Sequence, residues 1–172
     1  MGIRVSGGVL IMVGSICIGV WFRMQFLQRM RMLKEMQRGI VLLKSEIVYA
    51  RTPLAEACMS VSIRGEGTSQ AFFRRIGERM QTGDGTAQQI WKETMEEVYG
   101  QRKFCKRDYE EICQLGNTLG YLDVELQVRM LDLCVARLED SILCYEKEKR
   151  NQTRLYPLLG TFAGFVLCLV LI

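Results

Sequence analysis

Histidine is absent from this sequence of 172 residues. The absence excludes a serine–histidine–aspartate triad, a cysteine–histidine pair and any zinc site that uses histidine ligands. Seven cysteines are present, but no two of them have the spacing of a Cys-x-x-Cys pair. We therefore predict no disulfide and no metal site, and we interpret the cysteines as small apolar residues. Because the sequence gives no positive sign of catalysis or of a cofactor, we expect a protein that is not an enzyme.

Charged residues are nearly missing from both ends of the chain. Residues 5–22 and 155–172 are each eighteen residues long and contain no Asp, Glu, Lys or Arg. A helix needs roughly 20 apolar residues, with about 17 as the lower limit, to cross the hydrocarbon core of a bilayer. A cleaved signal peptide fits the first segment poorly, because bulky residues stand where cleavage requires small ones. We predict an N-terminal transmembrane helix at 1–22 and a C-terminal one at 155–172.

The charged residues are concentrated between the two predicted spans, in a central domain at 23–154. It carries all 19 acidic residues and 22 of the 23 Lys and Arg, a net charge of +3. This charge is too small and too evenly mixed to indicate nucleic-acid binding. Basic residues flank the inner side of each span, so the positive-inside rule predicts a cytoplasmic central domain with both termini outside. Gly160 and Gly164 have the GxxxG spacing of paired membrane helices, which leaves a homo-oligomer open.

Proline is scarce, occurring at Pro53 and Pro157, and no stretch alternates as a β-strand does. The pattern therefore indicates an all-α fold. Heptad stripes mark the first helix of the central domain (Leu33, Met36, Ile40, Leu43, Ile47, Ala50) and the last (Val124, Val128, Leu131, Val135, Leu138, Ile142, Tyr145). Shorter helices are expected between them. We predict an antiparallel helical bundle of about six helices, anchored by the two transmembrane helices.

Glycines and capping residues predict where the shorter helices begin and end. Breaks are expected at residues 65–67 and 83–86. The residues expected at helix starts are Thr52 before Pro53, Thr68 or Ser69, Asp108, and Asp123. The second of these helices carries Phe72, Phe73, Ile76 and Met80, and the next one Ile90, Trp91, Met95 and Val98.

Three short motifs occur in order along the central domain. Residues 46–54 read EIVYARTPL, residues 86–91 read TAQQIW, and residues 116–127 read GNTLGYLDVELQ. These segments resemble the EIxYxxTPL, TAxxxW and GxTLGxxDxxxQ motifs of the stage III sporulation protein AB family of endospore-forming bacteria. The residues that carry the resemblance and form the candidate site are Glu46, Tyr49, Thr52, Pro53, Leu54, Trp91, Leu119, Gly120, Asp123 and Gln127.

The residue types in these motifs favour a role in maintaining the fold over a role in partner contact. Thr52 and Pro53 fix a helix start, Gly120 permits a left-handed cap, and Asp123 caps the last helix. Glu46 and Gln127 lie on the helices that flank the bundle, where they could bond each other or a partner.

The resemblance implies a function that the residues alone do not supply. Members of this family are mother-cell proteins in the outer of the two membranes around the forespore. Their cytoplasmic domain is similar to that of the type II secretion F protein. The resemblance therefore implies a non-catalytic platform or scaffold in the channel-like complex between mother cell and forespore. The expected partners are the lipid bilayer, a secretion-type cytoplasmic ATPase and other membrane subunits of that complex.

Three other functions stay open at this stage. One is an inner-membrane platform of a type II secretion or type IV pilus machine, although such proteins usually carry two copies of the helical domain. Another is a membrane-anchored enzyme or signalling protein, which would need a reactive residue in a pocket. The third is a coiled-coil tether, which would not need the bulky residues Phe72, Phe73, Trp91 and Tyr109.

Overall fold

A computed structural model describes the backbone at residues 2–119 and 124–171, and side chains at 17, 20, 21, 23–100, 103–119 and 125–148. Within these residues the fold is all-α, as predicted, with six helices of eleven residues or more. They are α1 (Gly2–Ser45), α2 (Leu54–Arg64), α3 (Gly67–Thr82), α4 (Ala87–Val98), α6 (Lys106–Thr118) and α7 (Val124–Leu171), and α5 (Gly100–Lys103) is a single turn. A π-helical turn, Glu46–Ala50, follows α1 directly.

The helices form a ring in which α1 contacts α3, α3 contacts α4, α4 contacts α6, α6 contacts α7, and α7 returns to α1. Helix α2 packs against α3 and α1. In three neighbouring pairs of helices, contacts between side chains show antiparallel packing, because residue numbers rise on one helix as they fall on the other. The contacts are Lys34–Glu146 and Lys44–Asp132 between α1 and α7, Arg75–Glu97 and Arg79–Glu93 between α3 and α4, and Asp108–Ser141 and Glu111–Arg137 between α6 and α7. These three pairs agree with the predicted antiparallel arrangement. Helices α1 and α3 instead run parallel, because Glu35 contacts Thr68 and Gly39 lies against Phe73.

These directions define two ends of the bundle. The carboxyl ends of α1, α3 and α6 meet the amino ends of α2, α4 and α7 at what we call the distal end. At the opposite, proximal end, the terminal parts of α1 and α7 leave the bundle as continuous helix.

The core is centred on four aromatic rings. Phe72 meets Phe73, Trp91 and Tyr99 edge-on, with ring centroids 5.2, 5.0 and 5.7 Å apart. All four side chains are at most 1% exposed. Edge-to-face contacts of this kind stabilise a core by about 0.5–1.5 kcal/mol each beyond the apolar area that they bury. Three of the rings were predicted from the sequence, whereas the burial of Tyr99 was not.

The two heptad stripes face this core along most of their length. The buried members are Leu33, Met36, Ile40, Leu43 and Ile47 in α1 and its π-helical turn, and Leu131, Leu138 and Ile142 in α7. The prediction was wrong for Ala50, which is exposed. A π-helical turn holds more residues per turn than the α-helix and so rotates the last residues of the stripe out of phase. Arg51, with a left-handed backbone (φ 49°), then ends the turn.

Two predicted helix starts lie at other residues. Pro53 (φ −54°, ψ 145°) is the N-cap of α2 in place of Thr52, and no side chain caps this helix. The backbone N–H of Thr52 instead donates to the carbonyl of Glu46, at 3.4 Å, which holds Thr52 in the preceding turn. Asp108 lies in the first turn of α6, whose N-cap is Cys105. The Cys105 sulfur accepts the backbone N–H of Asp108 at 3.4 Å.

The start of α3 is capped by a residue of another helix. Gly67, predicted to belong to the break, is the first residue of α3 and has a left-handed backbone (φ 63°). Thr68 and Ser69, predicted as caps, lie inside the helix. The cap is Glu35 of α1, which is 9% exposed and whose Oε2 accepts the backbone N–H of Thr68 at 3.0 Å. A carboxylate also suits this place because helix amino ends carry partial positive charge.

Among the residues whose side chains are described, no helix is long and apolar enough to cross a membrane. The two predicted transmembrane helices, 1–22 and 155–172, lie almost entirely outside those residues. The backbone is helical at residues 2–22 and 155–171, where it forms part of α1 and α7.

Candidate functional site

The described part of the chain contains a small cavity. One cavity of about 100 Å³ lies where α1 meets the α2–α3 connection, lined by residues that include Arg38, Arg64 and Glu66. Ligand pockets usually enclose about 300–1,000 Å³, so this cavity is too small for most substrates. Beside the cavity, a guanidinium nitrogen of Arg38 lies 3.8 Å from Oε2 of Glu66. No group of three or more cysteine or carboxylate side chains that could hold a metal ion occurs among the described residues.

Buried thiols are the remaining candidates for reactivity. Burial raises the pKa of the Cys58 thiol to about 12, and burial followed by the nearby Glu111 carboxylate does the same for Cys134. Because the thiolate is the nucleophilic form, both side chains are inert near neutral pH. These two residues serve as small apolar core residues.

Trp91, the aromatic residue of the second motif, connects α4 to α6. Its side chain is fully buried, and its indole N–H donates to the carbonyl of Ile112 at 2.9 Å. The ring lies directly against Gly116, where a Cβ atom would overlap Cγ and Cδ1 of the indole. Glycine at 116 therefore lets the α6 backbone approach the ring, which links the second motif to the third.

Two leucines of the motifs also contact the core. Leu119, at the end of α6, is 3% exposed, and Leu54, the first residue of α2, is half-buried against the core cluster. Gln127 on α7 is 9% exposed. Gly120 and Asp123 lie outside the described residues.

Glu46 begins the π-helical turn at the carboxyl end of α1. Its Oε1 lies 2.9 Å from a guanidinium nitrogen of Arg64, and the Glu46 side chain is 12% exposed. The ion pair joins the turn to the far end of α2. Together with the hydrogen bond from the Thr52 backbone, this contact fixes the corner at which the chain turns from α1 into α2.

Tyr49 differs from the buried motif residues. Its side chain is 86% exposed on the outer side of the π-helical turn. Ala50, Arg51 and Pro53, which follow it, are exposed as well. An isolated exposed apolar residue needs no explanation in general, but packing cannot account for a motif tyrosine in this position. Tyrosine is also among the residues that contribute most binding energy at protein interfaces.

The three motifs share one end of the molecule. Residues 46–54 connect α1 to α2, residues 86–91 begin α4, and residues 116–119 end α6. All of these termini are at the distal end. Thr86 is the N-cap of α4, and its hydroxyl accepts the N–H of Gln89 at 3.3 Å. The spacing of the motifs in the sequence could not predict that they lie at the same end, because it does not give the order in which the helices pack.

A family model described as stage III sporulation protein AB matches residues 4–172, nearly the whole chain. The chain belongs to the stage III sporulation protein AB family. A curated relative, stage III sporulation protein AB of Bacillus subtilis (strain 168), is 25% identical over 169 residues, covering 98% of this chain and 99% of the relative. A solved structure of a stage III sporulation protein AB matches with a TM-score of 0.65 and 24% identity, covering 72% of this chain and 98% of the solved chain. This structural likeness supports the fold.

Proposed function

We propose that this protein is a non-catalytic membrane platform subunit of the channel-like sporulation complex between mother cell and forespore. Its distal end would dock the cytoplasmic secretion-type ATPase of that complex. The observation that carries the proposal is the exposed Tyr49 within a motif of the family, at the end of the bundle opposite the two terminal segments.

Membrane anchoring through both ends is part of the proposal. Its support is the two uncharged runs of eighteen residues and the basic residues beside them. The central domain would face the mother-cell cytoplasm from the outer forespore membrane. Since a helix rises about 1.5 Å per residue, Glu46 would stand about 36 Å from Phe22 at the membrane edge. That distance places the distal end within reach of a soluble partner.

Within the motifs we assign two roles. Trp91, Leu119, Leu54 and Glu46 would maintain the fold, because each has a packing or ion-pair partner inside the domain. Tyr49 would contact the partner, because its side chain is free of the core.

Tyr49→Ala separates partner contact from folding. The full chain would be isolated in mild detergent from sporulating cells, and the co-purified proteins identified by mass spectrometry. We expect the variant to lose the ATPase while its melting temperature stays unchanged, since removing an exposed side chain costs little stability. Ile63→Ala is the matched control, because Ile63 is 79% exposed on α2, near the end of that helix remote from Tyr49. Equal ATPase recovery from both variants would contradict the assigned contact.

Mechanically, α1 and α7 would transmit movement of the ATPase to the two membrane helices. Both helices run without a break between the bundle and the terminal segments. Lys34–Glu146 (2.6 Å) and Lys44–Asp132 (2.5 Å) join them along their length.

A flexible insert tests this transmission. A glycine–serine insert after Arg23 or before Tyr156 should abolish complex activity with the protein still present in the membrane. An insert of the same length at the same position, made of helix-forming residues in whole helical turns, is the control because it keeps the helix continuous. An active complex carrying the insert after Arg23 would refute transmission through α1.

A further inference from the structure

The connection between α4 and α6 lies at the proximal end, beside the helices that continue toward the termini. The ring of Tyr145 on α7 meets Phe26 of α1 edge-on, with centroids 5.5 Å apart. Burial raises the pKa of the Tyr145 hydroxyl, and the neighbouring Cys105, the N-cap of α6, raises this pKa further. One cluster therefore holds α1, α7 and the start of α6 together, four residues beyond Phe22 on α1.

This connection is strongly basic. Residues 101–107 read QRKFCKR, and we call them the basic loop. The side chains of Lys103, Lys106 and Arg107 are exposed, and Lys106 is 90% exposed. Phe104 between them is 4% exposed and packs against Tyr99, with ring centroids 4.8 Å apart. The buried phenylalanine anchors the loop and leaves the cationic side chains on the surface, where Nζ of Lys103 also donates to the carbonyl of Val98 at 2.8 Å.

The acidic residues at this end offset the charge only in part. Glu110 is 56% exposed, and its Oε1 lies 3.9 Å from Nζ of Lys106. Glu96, near the carboxyl end of α4, is exposed as well. Asp108 is 2% exposed and accepts a hydrogen bond from Ser141 at 2.7 Å. Glu146 is paired with Lys34. Glu148 is exposed, but Arg23 and Lys147 are exposed on the same end. The proximal face therefore presents a net positive surface, to which a segment far from both predicted spans in sequence contributes.

The height of the loop above the predicted membrane edge is bounded by α1 and α7. Phe26 lies four residues from Phe22 on α1, about 6 Å of helix, and Tyr145 lies ten residues from Leu155 on α7, about 15 Å of helix. Electrostatic attraction extends over a Debye length of about 8–10 Å at physiological ionic strength. The lower part of this range of heights lies within a Debye length, so the exposed lysines of the loop would be attracted by charges on the lipid headgroups.

We infer that the basic loop binds the anionic phospholipid headgroups of the membrane in which the chain is anchored. The inference rests on the proposed anchoring. The loop would be a third attachment besides the two terminal helices, and it would restrict the tilt of the bundle against the bilayer. Lipid fits better than a protein partner, because the same membrane lies on the side to which both terminal helices lead.

Amine labelling of the full chain in lipid nanodiscs tests the inference. One set of discs contains phosphatidylcholine and the other also contains phosphatidylglycerol, so that the membranes differ in charge. The labelling rate of Lys103 and Lys106 by an acetylating reagent is measured by peptide mass spectrometry. Lys92, exposed on α4, is the internal control.

We expect Lys103 and Lys106 to label about fivefold more slowly in the anionic discs, the factor that corresponds to the usual attraction per basic residue. High salt should remove the difference, and Lys92 should label equally in both discs. Equal labelling of the loop in the two discs, or protection that does not depend on lipid charge, would overturn the inference and leave the anchoring intact. Failure of the full chain to enter either disc would overturn the anchoring and, with it, the inference.

Discussion

Replacing Glu35 by alanine should destabilise the domain through helix α3. The carboxylate accepts the backbone N–H of Thr68 at 3.0 Å and the side-chain N–H of Arg31 at 2.9 Å. Loss of a helix cap costs about 0.5–2 kcal/mol, and loss of the charge at the helix amino end about 0.3–1 kcal/mol. We expect a total near 2 kcal/mol, which corresponds to a fall in melting temperature of roughly 5–10 °C for a domain of this size. Glu35→Gln, which keeps an acceptor oxygen, should lose about half as much.

The assay is thermal unfolding of the full chain in mild detergent, followed by circular dichroism. Glu78→Ala is the matched control, because Glu78 is 58% exposed and lies 3.9 Å from Arg74 in a surface pair worth less than about 1 kcal/mol. Backbone hydrogen exchange should be faster at Thr68 in the Glu35 variant. If Glu35→Ala and Glu78→Ala have the same melting temperature, the Glu35 carboxylate does not stabilise α3 and the reasoning fails.

Two further predictions concern the core. Gly116→Ala should lower stability by about 1–3 kcal/mol through its overlap with Trp91, measured as a lower melting temperature and a changed tryptophan fluorescence; an unchanged melting temperature would disprove the close approach. At neutral pH a thiol reagent should modify the exposed Cys144 quickly and Cys58 and Cys134 slowly, and equal rates would be inconsistent with their burial. Burial in the folded state raises the pKa of the Cys58 thiol from 9.0 to about 12. The protonated thiol therefore contributes to the free energy of unfolding in full below pH 9, and this contribution is lost between pH 9 and 12. The fall in melting temperature over that range should be shallower in Cys58→Ala.

The sequence predicts the helices better than it predicts how they begin. Heptad stripes and glycine breaks are local patterns, and the structure confirms the all-α bundle that they indicate. The parallel packing of α1 and α3 is not part of these patterns. The cap of α3 is different, because Glu35 lies 33 residues from its partner in sequence. The cap of α6 uses the sulfur of Cys105, a residue type that is not a usual N-cap. Neither contact leaves a pattern that sequence reasoning could have recognised.

The candidate site shows the same division. The motifs could be located along the chain, and a buried Trp91 is expected from its position on an apolar helix face. Tyr49 lies outside the heptad stripe of α1, which agrees with its exposure, whereas the exposure of Ala50 depends on a π-helical turn that no residue in 46–50 signals. The position of the basic loop near Phe26 likewise depends on the order of helices in the ring.

Site-specific cross-linking in sporulating cells tests the central claim most directly. A photoreactive residue would replace Tyr49 in the full chain, and a second chain would carry it in place of Ile63. The account predicts a cross-link to the cytoplasmic ATPase from position 49 and none from position 63. A cross-link from position 63 but not from 49, or none from either in an active complex, would contradict docking at the distal end.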